Sequence, residues 1–157
     1  MEIFPKVVEA VKTFSTVESY NLIRDDLLKI VINMLTDKTE SDLLRLTGDS
    51  FVLIAKSLNV DDVANLILAT VIGFAVTVEE DMSSRIESKT LAAKLFGDLA
   101  SIPGKDLCES YVVPQLIFLA EDNNFKVRKA VVLSLINLAE VLSYLTITNK
   151  LIPIYST

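Results

Sequence analysis

The chain contains no histidine, no tryptophan and one cysteine, Cys108. Without histidine, the commonest general base and the commonest nitrogen ligand for metals are both missing. A lone cysteine excludes an internal disulfide and suits a reducing compartment. With no imidazole to activate it, Cys108 reads as a packing residue at a helix start, not as a nucleophile. Glycine is almost as scarce: the four residues, Gly48, Gly73, Gly97 and Gly104, stand apart, so no phosphate-cradling loop can be assembled. Aromatic residues make up 7% of the chain.

Positive charge is also in deficit. Fifteen Lys and Arg face 21 Asp and Glu, for a net charge of −6. A nucleic-acid surface needs clustered cations, and the one local cluster is Lys126, Arg128 and Lys129. The longest apolar run, Val63 to Val78, is interrupted by Asn65, Thr70, Gly73 and Thr77. It falls short of the roughly 20 residues a membrane span requires. The opening Met1-Glu2-Ile3-Phe4-Pro5-Lys6 carries acid at once and lacks the apolar core of a signal peptide. Nucleic acid and membrane are therefore not expected as partners, and a cytoplasmic or nuclear location is expected.

What the chain does have is aliphatic. Half of it, 51%, is hydrophobic, and 157 residues are enough for one domain with a sizeable core. Apolar residues recur at helical spacing over about 4–14, 17–36, 41–58, 61–76, 80–102, 107–121, 125–143 and 147–156. No run alternates with a period of two. Capping signals fall between these segments: Ser15-Thr16-Val17-Glu18, Thr39-Glu40-Ser41-Asp42 and Thr77-Val78-Glu79-Glu80 fit capping boxes. Asn59 and Asn124 fit N-caps, and Pro103-Gly104 fits a stop.

The helices repeat. Leu-Ala or Ile-Ala steps at Ala55, Ala100 and Ala139 are 45 and 39 residues apart. Pro114 and Pro153, each inside an apolar run, are also 39 apart, which predicts a kink in each of those helices. Eleven residues before Ala139 lies Arg128, and eleven before Ala100 lies Lys89. A period near 40 is the mark of a two-helix repeat. In the helix after Asn124, Val127, Val131, Leu135, Leu138 and Leu142 form one apolar stripe and Val132, Ile136 and Ala139 a second. Two stripes predict packing on the hairpin partner and on the neighbouring hairpin at once.

The run Tyr111-Val112-Val113-Pro114-Gln115-Leu116, then Leu119-Ala120-Glu121-Asp122, Phe125-Lys126-Val127-Arg128-Lys129-Ala130 and Lys150-Leu151-Ile152-Pro153-Ile154-Tyr155, resembles HEAT repeats. More closely, it resembles the scaffold (A) subunit of protein phosphatase 2A and the regulatory subunit of phosphatase 4. The match is good over 83–157 and weak before residue 60. It departs from the pattern at Ser83 and Ser88, and no Pro occurs in 61–76. The resemblance implies an all-α fold, an armadillo-like α-α superhelix (solenoid) of antiparallel helix pairs. It implies one domain over 1–157 with about three and a half pairs, belonging to a longer array. It implies a non-catalytic scaffold without cofactor or metal that holds a phosphatase catalytic subunit and a targeting subunit. A HEAT adaptor in transport or cytoskeletal assembly is the alternative, and an enzyme with an unfamiliar site a third.

Turn residues Asp81, Met82, Asn123, Asn124, Phe125 and Lys126 are the candidate partner contacts, with Phe125 as the aromatic anchor. Lys89, Asp122 and Arg128 are expected to form a structural ladder of cations and carboxylates. The acidic pairs Glu79-Glu80, Glu121-Asp122, Asp61-Asp62 and Asp25-Asp26 read as helix-start chemistry, not as catalytic or metal sites.

Overall fold

The computed structural model describes residues 3–12, 16–37 and 41–156. These residues are almost entirely helical, with no strand among them. Eight helical rods follow one another: α1 (Ile3–Lys12), α2 (16–37), α3 (Ser41–Ala55), α4 (60–75), α5 (Met82–Leu99), α6 (105–120), α7 (Phe125–Leu138) and α8 (144–156). The helical periodicity therefore placed every rod, with errors confined to the ends. The capping boxes at 15–18 and 39–42 each lie partly outside the described residues. The third box is not a helix start. Thr77 and Glu79 stay in the connection, and α5 begins at Met82 because the Asp81 carboxylate accepts the Ser84 N–H at 2.7 Å.

The rods fall into two compact units, 1–59 and 60–157. In the first, α1 packs on α2 and α3, and α2 packs on α3. Val8, Ile23, Leu28, Val31, Leu35, Phe51 and Ile54 form its core at helical spacing. The Tyr20 hydroxyl accepts the Asn59 N–H at 3.0 Å and ties the end of the unit back to α2.

In the second unit, α5 packs on α4 and α7, α6 on α7, and α4 on α6. α5 is accordingly buried over a broad arc that includes Leu91, Ala92, Ala93, Leu95, Phe96 and Leu99. α7 is different. Its first apolar stripe is buried at Val127, Val131 and Leu138, but the second is not: Val132 is 45% and Ile136 67% exposed, and Ala139 is exposed. α7 therefore packs on two neighbours at once, its hairpin partner α6 and the adjacent α5, as predicted, but its second stripe is not what makes those contacts. Ala55 and Ala100 are buried and Ala139 is not, so the three Ala steps do not share one environment.

Four of the rods, α2, α4, α6 and α8, each contain one π-helical turn: Leu22–Leu27, Val63–Leu68, Cys108–Val112 and Ile147–Leu151. A wide turn of this kind interrupts the i to i−4 ladder and permits a change of course. Pro114 and Pro153 follow the third and fourth turns, where a missing N–H costs nothing further. The first two turns form without proline, so proline is not what causes the interruption, and Pro114 and Pro153 are suited to it.

Two ties hold the second unit in register. At the crossing of α5 and α7, a Cβ on Gly97 would lie 2.7 Å from Ser134 Cβ and 2.8 Å from its Cα. Only glycine allows that approach. In α6, the Glu109 carboxylate accepts the Ser143 N–H, the Ser143 hydroxyl and the Thr146 hydroxyl at 3.1, 2.7 and 2.8 Å, fastening the start of α8. Those hydrogen bonds, led by the Ser143 hydroxyl, hold the Glu109 carboxyl down to about 2. Gly104, at φ +84°, turns the chain between α5 and α6, as the Pro-Gly pair predicts.

Replacing Gly97 with Ala should destabilise the chain by about 1–3 kcal/mol through overpacking, read as a lower urea midpoint. A pH series tests the second tie. The folded carboxyl of Glu109 lies below its ordinary 4.5, so its contribution is complete above that value and disappears as pH falls towards about 2. The urea midpoints of the wild type and of Glu109→Gln should therefore differ by a constant amount above pH 4.5 and converge below it.

Candidate functional site

The two connections that lead into α5 and α7 are built alike. Asp81 caps α5, and Asn124 caps α7 by accepting the Lys126 N–H at 2.9 Å. The first helical residues, Met82 and Phe125, are 71% and 62% exposed. An aromatic side chain folded back as a staple would be covered, so Phe125 is displayed. Asn123 and Lys126 are exposed beside it, and Asp81 beside Met82.

An arginine braces each connection. Arg128 Nη1 donates to the carbonyl oxygens of Asp122 and Asn123 at 2.8 and 2.9 Å. Arg85 donates through Nε and Nη2 to the carbonyl oxygen of Glu79. The acceptor of Arg85 lies six residues before it, and those of Arg128 six and five residues before it, so each arginine makes two contacts with backbone oxygens of its own turn. Arg85 was not singled out in the sequence, where Lys89 is matched to Arg128. The reason is length. α5 has 18 residues and α7 has 14. Aligning the helix ends, Leu99 with Leu138, gives a spacing of 39 and pairs Lys89 with Arg128. Aligning the helix starts gives 43 and pairs Asp81 with Asn124, Met82 with Phe125 and Arg85 with Arg128. The apparent departure at Ser83 follows from the first register. In the second, Glu79 stands opposite Asp122, and its carboxylate accepts from the buried Ser88 hydroxyl at 2.9 Å.

Lys89 and Asp122 do meet. Lys89 Nζ lies 2.6 Å from Asp122 Oδ2, with the two side chains 16% and 13% exposed, and 5.5 Å from the centre of the Phe118 ring. The other oxygen, Oδ1, accepts the Asn124 N–H at 2.8 Å. Burial pushes the Asp122 carboxyl up. The hydrogen bonds from Lys89 and Asn124 and the charges of Lys89 and Arg128 outweigh it and hold the group below its ordinary value. The expected ladder is therefore one rung, from α5 to the turn before α7. Arg128 is not part of that rung: it is exposed and binds carbonyl oxygens, not a carboxylate.

Away from these turns, a half-open groove of about 380 Å3 runs between α5 and α7, where Lys94, Asp98, Leu133 and Asn137 line it. Cys108 is fully buried, its thiol donates to the Ala100 carbonyl at 3.2 Å, and burial pushes it up to about 11. Among the described residues no three His, Cys, Asp or Glu side chains cluster as metal ligands, and no helix is long and apolar enough to cross a membrane. No known family model and no curated protein matches the chain.

Two substitutions separate the roles at the rung. Asp122→Ala should cost about 1–3 kcal/mol and exceed Lys89→Met, because it also orphans the Asn124 N–H. Urea denaturation of both variants measures the difference, and equal losses would mean that the contact to Asn124 contributes nothing.

Proposed function

We propose that the chain is a HEAT-like α-solenoid scaffold that binds other proteins through the turns at the starts of its second helices. The observation that carries this reading is the similar turn at both places: a side-chain cap, an arginine donating to backbone carbonyls of the turn, and an exposed large apolar residue at Met82 and again at Phe125. A structure that fixes a backbone turn twice and leaves its most adhesive side chain in solvent is built for display. Large exposed side chains on a rigid support lose little freedom on binding and make effective anchors.

The packing of α4 and α5 against α6 and α7 supports a stack of hairpins, and the π-helical turn in each first helix supports a common repeat unit. The partner is read from the resemblance of 83–157 to phosphatase 2A and phosphatase 4 subunits. In this reading the chain holds a serine/threonine phosphatase catalytic subunit and a targeting subunit in the cytoplasm, and performs no catalysis of its own. A solenoid suits that task because each repeat touches only its neighbours and can flex as a spring.

The test is co-purification of the full chain with a phosphatase 2A-type catalytic subunit, with and without Met82→Ala and Phe125→Ala. Binding should be retained by the wild type and weakened at least about tenfold in the double variant, as expected for two interface anchors. Failure of the wild type to bind any phosphatase would remove that partner and leave the transport or cytoskeletal adaptor.

A further inference from the structure

The exposed side of α7 is not a random surface. Lys129, Leu133, Ile136 and Glu140 follow one another at intervals of four, three and four residues, so they fall on one line along the helix. Leu133 is 57% and Ile136 67% exposed, and Val132, at 45%, flanks them. Lys129 and Glu140 are exposed and form no ion pair with any described residue. Glu140 lies in the turn that continues α7, where Ala139 and Leu142 N–H still donate to Leu135 and Leu138 carbonyls at 2.9 Å. The line is therefore cationic at one end, apolar in the middle and anionic at the other.

We propose that two copies of this chain pair antiparallel through this face of α7. A twofold axis across the middle of the line sets Leu133 of each copy against Ile136 of the other and Lys129 of each against Glu140 of the other. That is the pairing of alternate seam positions found where antiparallel helices interlock, and it satisfies both charged ends with the same operation. A parallel pairing would oppose Lys129 to Lys129 and Glu140 to Glu140, which is repulsive. The charges choose the orientation, and the aliphatic centre supplies the attraction. The proposal goes beyond the scaffold reading and does not depend on it, since it uses none of the turn residues Met82, Lys126 or Phe125.

The face is small. A 14-residue helix is about 21 Å long, and the contact it offers falls short of the about 800 Å2 per partner of a tight complex. The pair should therefore form weakly, and the experiment is sedimentation equilibrium of the full chain from about 10 μM to about 1 mM. The mean mass should rise towards that of a dimer across this range. Ile136→Asp, at an exposed position that folding does not need, should abolish the rise. Lys129→Glu and Glu140→Lys should each weaken it about tenfold, and the double swap should restore it, because each end again meets its opposite. Circular dichroism of each variant confirms the fold. A chain that stays monomeric at the highest concentration would overturn the proposal, even if an amphipathic helix from another protein bound the same face. So would a dimer indifferent to Ile136→Asp, or a double swap no better than the singles.

Discussion

The close approach of α5 and α7 at Gly97 and Ser134 is the contact on which the second unit depends. Backbones that nearly touch leave no slack for sliding, since a shift of one turn would drive a larger side chain into the place of the glycine. The crossing therefore fixes the register of two helices of unequal length. One consequence lies several turns away. With Gly97 set against Ser134, Lys89 on α5 comes level with the turn before α7 and reaches the Asp122 carboxylate. The rung is too polar to hold the helices together unaided, because desolvating both groups cancels much of their attraction. It acts on the turn instead. Asp122 held by Lys89 presents its second oxygen to the Asn124 N–H, and Asn124 in turn caps the helix that carries Phe125.

Four rods share another feature, a single π-helical turn. Such a turn interrupts the i to i−4 ladder and lets a helix bend where a straight rod would run on. The π-helical turns at Leu22–Leu27, Val63–Leu68, Cys108–Val112 and Ile147–Leu151 supply the change of course. In α6 the same turn carries Glu109, whose three acceptor bonds receive the start of α8. Polar fastening at this end and apolar packing at the glycine end divide the labour. The carboxylate specifies where the next helix starts, and the core supplies the energy.

Helix positions were legible in the sequence because they rest on short-range signals: apolar spacing, Asn124 as a cap, Pro103-Gly104 as a stop. The brace was not legible, for a definite reason. A repeat spacing can be read from either end of a helix, and the two readings agree only when the helices are equally long. α5 and α7 differ, so the spacing of 39 that aligns Ala100 with Ala139 and Pro114 with Pro153 hides Arg85. The pair Asp81-Met82 and Asn124-Phe125, read as cap and first residue, would have exposed the spacing of 43. The second stripe of α7 was misjudged for another reason. Periodicity shows that a helix has an apolar face, but not whether anything lies against it.

That distinction bears on how the unusually high aliphatic content of this chain is to be understood. An acidic chain with so much apolar residue must either bury nearly all of it or keep some for contact with another surface. α5 shows the first solution, enclosed by α4 and α7, with even its polar Ser88 sealed against the Glu79 carboxylate. α7 shows the second. Its buried stripe and its exposed line carry comparable side chains, and the exposed one is bounded by charges of opposite sign, Lys129 and Glu140, that pair with no described residue. In a core such charges would be a liability, since neither would find a partner as good as water. At the ends of an exposed line they cost nothing in the isolated chain and discriminate between orientations when another helix arrives. The arrangement is therefore consistent with the proposed contact between two copies, since its symmetry is what a surface needs to meet itself.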